Sequence, residues 1–199
     1  MESRPLVDDE LPDDGMDDVM CPCRITEVKF RGKDMYPTLQ NLRRKKSVVF
    51  AHVYGSLSLP AAIWPGKHCH SNGISNRDFD DKDWKFVINR KNAWYLQMEV
   101  MNDLVTHGLS VEKEYTYKDI STIQQTLYPE CQIKIIRDKD HSLEFFRSPN
   151  VAQAGMKIIY VFVHGSYAFL VVSIKGFLHH LTFCDNCDVG YSYTKHICQ

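Results

Sequence analysis

Residues 157–174 read KIIYVFVHGSYAFLVVSI, the longest apolar run in the chain, broken in its middle by His164-Gly165-Ser166. A membrane-spanning helix needs roughly 18 uninterrupted apolar residues, so the break excludes that reading. Two runs of β-branched and aromatic residues around a turn predict a buried hairpin, KIIYVFV followed by AFLVVSI. Toward the N-terminus, CQIKIIRD (131–138) and LEFFRS (143–148) flank an Asp-Lys-Asp-His turn and predict a second hairpin.

Two helices precede these strands. In TYKDISTIQQTLYP (116–129), Tyr117, Ile120, Ile123, Gln124 and Leu127 fall on one stripe, with Pro129 after it. In NAWYLQMEVMNDLVTHG (92–108), Trp94, Tyr95, Met98, Met101, Leu104 and Val105 have helical spacing and Gly108 is the stop. Helix, helix, then antiparallel hairpins is the α+β pattern. Further out, SVVFAHVYG (47–55) reads as β-rich and 65–83, PGKHCHSNGISNRDFDDKD, as a long loop. CPCRITEVKFRGKDM (21–35) alternates charged and apolar residues as an edge strand does. The expected organisation is an acidic disordered tail at 1–20 and an α+β domain at 21–181, whose 21–85 part could be a separate β-rich unit. A small zinc module at 182–199 follows.

Charge is unevenly spread. Residues 2–18 hold eight acids and Arg4, so the remaining chain carries 23 of the 24 bases and 17 of the 25 acids, a net +6. Such a tail is either a solvated solubility segment or a competitor for nucleic acid on the basic body. The run Arg43-Arg44-Lys45-Lys46 is either a solvated surface or a phosphate-binding patch or nuclear address. The acidic start has no basic-then-apolar leader, which predicts a soluble protein made in the cytosol and not secreted.

The seven cysteines are odd in number, and clustered Cys and His in a reducing compartment point to metal. In CDNCDVGYSYTKHICQ (184–199), Cys184, Cys187, His196 and Cys198 supply the four N and S ligands of a tetrahedral zinc site. All four positions are filled by protein, so the zinc is structural, not catalytic. A second candidate site groups Cys21 and Cys23 with His68, Cys69 or His70; its alternative is loop residues with no common partner. Asp78, Asp80, Asp81 and Asp83 could hold a divalent ion for nuclease chemistry, or be a solvated loop. Cys131, beside an apolar strand, reads as a small buried hydrophobe.

From about residue 88 onward the chain resembles the N-terminal region of protein-primed family B DNA polymerases of Polinton-type elements and related insect viruses. The residues that carry this are NAWYLQMEVMNDL, IQQTLYPECQIKII, IIYVFVHGSYAFLVVSIKGFL and FCDNCDVGYSYTKHIC. The last is the most specific, with an aromatic before the first Cys, Gly-Tyr after the second and a His-x-Cys ending. The resemblance implies an OTU-like (ovarian-tumour-type) cysteine-peptidase fold followed by a Cys/His zinc module. It also implies that the catalytic pair is lost: Trp94-Tyr95 stand where the family starts a helix with Cys, and Ser166 where it has His. Without a polymerase, a chain of this size is similar to the accessory nonstructural proteins of small insect DNA viruses, such as the third nonstructural protein of densoviruses. That likeness implies a non-enzymatic role in viral DNA replication in the host nucleus, with DNA, RNA or viral replication proteins as partners. The alternative is a deubiquitinase-like cysteine peptidase using His164 as base with Cys69 or Cys131 as nucleophile.

Overall fold

The computed structural model of the chain describes residues 24–29, 38–44, 47–71, 85–86, 89–139, 142–148, 156–178 and 182–191. Six strands form one sheet: β1 (Arg24–Lys29), β2 (Val48–Phe50), β3 (Cys131–Lys139), β4 (Ser142–Arg147), β5 (Lys157–His164) and β6 (Tyr167–Val171). A separate hairpin pairs β7 (Thr182–Cys184) with β8 (Val189–Tyr191). The helices are α1 (Leu39–Arg44), α2 (Ser58–Ser71), α3 (Ala93–Thr106), α4 (Ile120–Leu127) and α5 (Ile174–Leu178). The architecture is mixed α and β, and no described helix is long and apolar enough to cross a membrane.

The 157–174 run folds as expected, with β5 and β6 antiparallel and Tyr160 opposite Val171. The turn is shorter than its composition suggested. His164 stays in the strand opposite Tyr167, and only Gly165 and Ser166 reverse the chain. Gly165 has φ +58°, a conformation that a residue with a Cβ resists.

Sheet order is β1-β4-β3-β5-β6-β2. The expectation of antiparallel hairpins alone fails at one place: β5 lies beside β3 and runs parallel to it, Cys131 opposite Lys157 and Arg137 opposite Val163. The edge strand foreseen near residues 21–35 is β1, paired with β4. The described part of 21–85 holds α1, α2 and the strands β1 and β2 at the sheet's opposite edges.

Both sheet faces are covered. Ile133, Ile135, Val161 and Leu170 pack under α2, α3 and α4, while Ile136, Phe145, Phe162 and Phe169 pack on the other face with Leu42, Phe177 and Phe183. Alternation along β3 and β5 assigns neighbouring residues to opposite faces. The α4 stripe is as read, with Ile120, Ile123, Gln124 and Leu127 buried and the Gln124 Oε1 accepting from the Ile133 N–H at 2.9 Å. The α3 stripe is so only in part. Leu104 and Met101 pack on the core as read, joined by Leu96 and Val100, while Trp94 is 62% exposed, Met98 53% and Val105 64%.

The larger departure is α2. Residues 65–71, read as the start of a loop, are its C-terminal half, although it contains Pro60, Pro65 and Gly66. Pro60 lies in the first turn, where the missing N–H has no helical partner to lose. Gly66 is there for contact: a Cβ on it would lie 2.8 Å from Ile159 Cγ2 and 3.1 Å from Leu170 Cδ1. Alanine is the better helix former by about 1 kcal/mol, yet Gly66→Ala is expected to destabilise the protein by about 1–3 kcal/mol through overpacking against a stiff β-branched side chain. A urea midpoint unchanged or raised in the variant would mean that α2 does not lie this close to the sheet.

Candidate functional site

Two groups of residues carry chemistry. The first is the Cys-x2-Cys turn. Cys184 ends β7, and residues 185–188 turn the chain into β8. The Asp188 N–H donates to the Cys184 carbonyl at 2.9 Å, and Asp188 has φ +57°, which short polar residues tolerate better than most. Cys184 and Cys187 are reduced and half-buried.

Three neighbouring strands hold this turn, each with one side chain. Lys134 of β3 is fully buried; its ammonium pairs with the buried Asp188 carboxylate at 2.5 Å and also donates to the Asp185 carbonyl. Tyr160 of β5 donates its hydroxyl to Asp185 Oδ1 at 2.5 Å, and Arg147 of β4 donates to the Asn186 carbonyl at 2.9 Å. Phe183 stacks on Phe145 and meets Tyr160 edge-on, at centroid distances of 6.3 and 6.0 Å. Burial pushes the Tyr160 hydroxyl far above its ordinary value, with Asp185 adding to the shift, so it remains a donor. Burial likewise pushes the Asp188 carboxyl up, against the pull of Lys134. Asp185 and Asp188, which the cysteine spacing does not single out, are the anchor points of the turn.

Among the described residues no three His, Cys, Asp or Glu side chains gather as an ion site. His196, Cys198, Cys21, Cys23 and the acids Asp78, Asp80, Asp81 and Asp83 lie outside the described residues. His68, Cys69 and His70 fall on α2, not in a loop.

The second group is a groove of about 310 Å³ along the β2 edge of the sheet. Its lining joins Arg43 of α1, Phe50 of β2, His52 and Tyr54 just after it, Arg90 before α3, and Tyr167 and Phe169 of β6. Phe50 is the hub, with His52, Tyr54, Tyr167 and Phe169 around it at centroid distances of 5.0–5.9 Å. Tyr54 and Tyr167 remain 58% and 43% exposed. No carboxylate lines the groove, and neither arginine pairs with one among the described residues. Of the basic run, Arg43 reaches the groove; Arg44 ends α1, and Lys45 and Lys46 lie outside the described residues.

His52 has φ +58°, unusual for a residue with a side chain this large. Burial, then the charges of Arg90 and Arg43, hold its imidazole below its ordinary value of 6.5. The unfolded chain thus takes up a proton more readily than the folded one. The contribution of neutral His52 to stability is full above the unfolded value and is lost as pH falls through the folded one. Stability is expected to fall less steeply in His52→Gln than in the wild type as pH drops below that of free histidine. Identical slopes in paired denaturation series would dismiss this role.

The residues of the peptidase alternative are apart. Cys131 and His164 lie near opposite ends of the parallel β3–β5 pair, which at about 3.3 Å per residue separates them by roughly 23 Å. Burial, helped by Glu130, pushes the Cys131 thiol up, the wrong direction for a nucleophile. Ser58, at the start of α2, accepts from the Ala168 N–H near the β5–β6 turn, so Cys69 lies roughly 16 Å further along the helix from that end. His164 Nδ1 does meet Asp138 Oδ2 at 2.9 Å, but on the sheet face of Phe162. Ser166, in the turn, lines a cleft of about 270 Å³ with Gly55, Ser58 and Val163. The helix start facing Ser166 is therefore that of α2, not the Trp94-Tyr95 start of α3. Compared with known protein families, curated proteins and solved structures, the chain matches none.

Proposed function

We propose that this chain is a non-enzymatic, zinc-held nucleic-acid-binding protein that supports viral DNA replication in the host nucleus. The observation that carries the binding reading is the groove, where Arg43, His52 and Arg90 surround exposed aromatic rings with no carboxylate among the described lining residues. Arginines bind phosphate and rings stack on bases, so the lining suits a polynucleotide better than a neutral or cationic ligand.

Zinc fits the other site by donor chemistry. Two soft thiols at Cys-x2-Cys spacing lie on a turn that Lys134, Tyr160 and Arg147 hold in place. Cys184 and Cys187, with His196 and Cys198, would hold the ion, whose role is structural.

The OTU-like reading belongs to this proposal as an inherited architecture without its chemistry. In such a fold a thiol and an imidazole must touch. The helix start beside Ser166 offers Ser58 and Leu59, and neither is a cysteine. The peptidase alternative draws on the Asp138–His164 bond, which would orient a base. The separations of Cys131 and Cys69 from His164 weigh against it.

The test is fluorescence anisotropy with labelled DNA across about 50–200 mM salt. Affinity is expected to fall steeply with salt, and Arg43→Gln and Arg90→Gln should each flatten the logarithmic slope by about 0.7–0.9. Absence of binding at low salt, or a slope indifferent to both variants, would remove the groove from this role.

A further inference from the structure

We infer that the groove selects unpaired nucleic acid, stacking bases on Tyr54 and Tyr167 while Arg43 and Arg90 take the flanking phosphates. This rests on the nucleic-acid reading and narrows it to a substrate class.

The argument begins with exposure. An aromatic ring in a small protein is normally buried against the core, as Phe169 is here at 3% exposure. Tyr54 and Tyr167 instead stand open at the groove, 5.9 Å apart and nearly perpendicular. Phe50 meets both rings nearly perpendicular, at 5.2 and 5.9 Å, so they are held in place rather than left loose. A ring fixed by its neighbours and about half exposed offers a surface on which a base can stack.

The positions of the charges complete it. Arg43 and Arg90 come from different elements and lie in the same lining as the two rings, with His52 between them in sequence and in the groove. In a duplex each base face is covered by its neighbours in the stack, so tyrosines gain nothing from it beyond phosphate attraction. In a single strand the faces are available, and base–aromatic stacking tolerates any sequence. The groove's volume of about 310 Å³ suits a short stretch of strand, not a double helix.

The experiment compares a labelled oligo-dT and oligo-U of about 15 nucleotides with a blunt duplex of the same length, at one salt concentration. The single strands are expected to bind at least about 10-fold more tightly than the duplex. Tyr54→Ala with Tyr167→Ala should abolish that preference, whereas Tyr54→Phe with Tyr167→Phe should keep it, since the phenyl ring still stacks. Trp94→Ala, an exposed aromatic outside the groove, should change nothing. The Phe pair also guards against misfolding as the cause of a loss in the Ala pair. A preference for either single strand over the duplex supports the inference. Equal binding of duplex and single strand, or an unchanged preference in the Ala pair, overturns the stacking inference but leaves the nucleic-acid reading standing if the arginine variants still weaken binding. No binding of any probe overturns both.

Discussion

Lys134→Met is expected to cost about 3–5 kcal/mol of stability, the largest effect of any single substitution outside the proposed metal ligands. The side chain is fully buried and its partner Asp188 nearly so, so the variant leaves a carboxylate enclosed without its cation. Two other contacts go with it, the bond to the Asp185 carbonyl and the approach to the Tyr160 ring at 5.5 Å, while methionine keeps most of the packing of the stem. The cost lies in the unpaired charge, not in the worth of the pair, because desolvation offsets much of the attraction in a buried ion pair. The double variant Lys134→Met with Asp188→Asn should therefore recover most of the loss. Asparagine is the right replacement because position 188 has φ +57°, which Asn also tolerates, whereas alanine would add backbone strain. Urea denaturation of the three proteins decides it. A single-variant cost below about 1 kcal/mol would mean that the pair is open to water and does not hold the turn.

The second large effect concerns metal. Protein purified without chelator is expected to carry one zinc per chain, and Cys187→Ser to carry none. Apparent zinc binding in small structural sites is worth about 10–16 kcal/mol at neutral pH, so its loss should unfold the C-terminal hairpin. The main sheet should survive, because the core under α2, α3 and α4 takes nothing from the hairpin, which gives only Phe183 to the opposite face. Elemental analysis of the wild type, Cys187→Ser and Cys23→Ser separates the alternatives. Two zincs, one lost in each variant, would place a second ion with Cys21 and Cys23. No metal in the wild type would remove zinc from the proposed function and leave the hairpin held by Lys134, Tyr160 and Arg147 alone.

The two predictions are linked through one loop. Lys134, Tyr160 and Arg147 fix the backbone from Asp185 to Asp188, the residues that carry the two thiols between and beside them. A metal arriving there meets a turn already shaped, so less ordering entropy opposes binding. Lys134→Met is accordingly expected to weaken zinc retention as well as stability, whereas Gly66→Ala, on the opposite face of the sheet, should affect stability alone.

The strands β3 to β6 were legible because long runs of Ile, Val, Phe and Tyr in a short span suit few other arrangements. The α4 stripe was legible for a related reason: Ile120, Ile123 and Leu127 recur at helical spacing with polar residues on the other side. The α3 helix shows the limit. Its sequence carries two apolar stripes, Trp94-Met98-Val105 and Leu96-Val100-Leu104, and periodicity does not choose between them. The helices and strands packed beside it choose, and they leave the tryptophan outside. The α2 helix was missed because two prolines and a glycine read as loop chemistry. Pro60 sits where a helix tolerates it, and Gly66 is explained only by the sheet lying against it.

The same division holds for the candidate sites. The Cys-x2-Cys turn is local, so spacing alone marked both thiols and the need for a tight reversal. Lys134 could not be marked, since a lysine within an apolar strand reads as a solvent-facing alternation until a carboxylate some fifty residues away is found above it. The groove is the extreme case. Its lining draws on residues from 39 to 169, and only the basic run among them stood out along the chain. Short-range pattern thus determined which segments became strands and where two closely spaced thiols lie. Tertiary structure decided which faces are buried, which charges are paired and which rings are left open, because burial, pairing and exposure depend on distances in space between residues far apart in sequence.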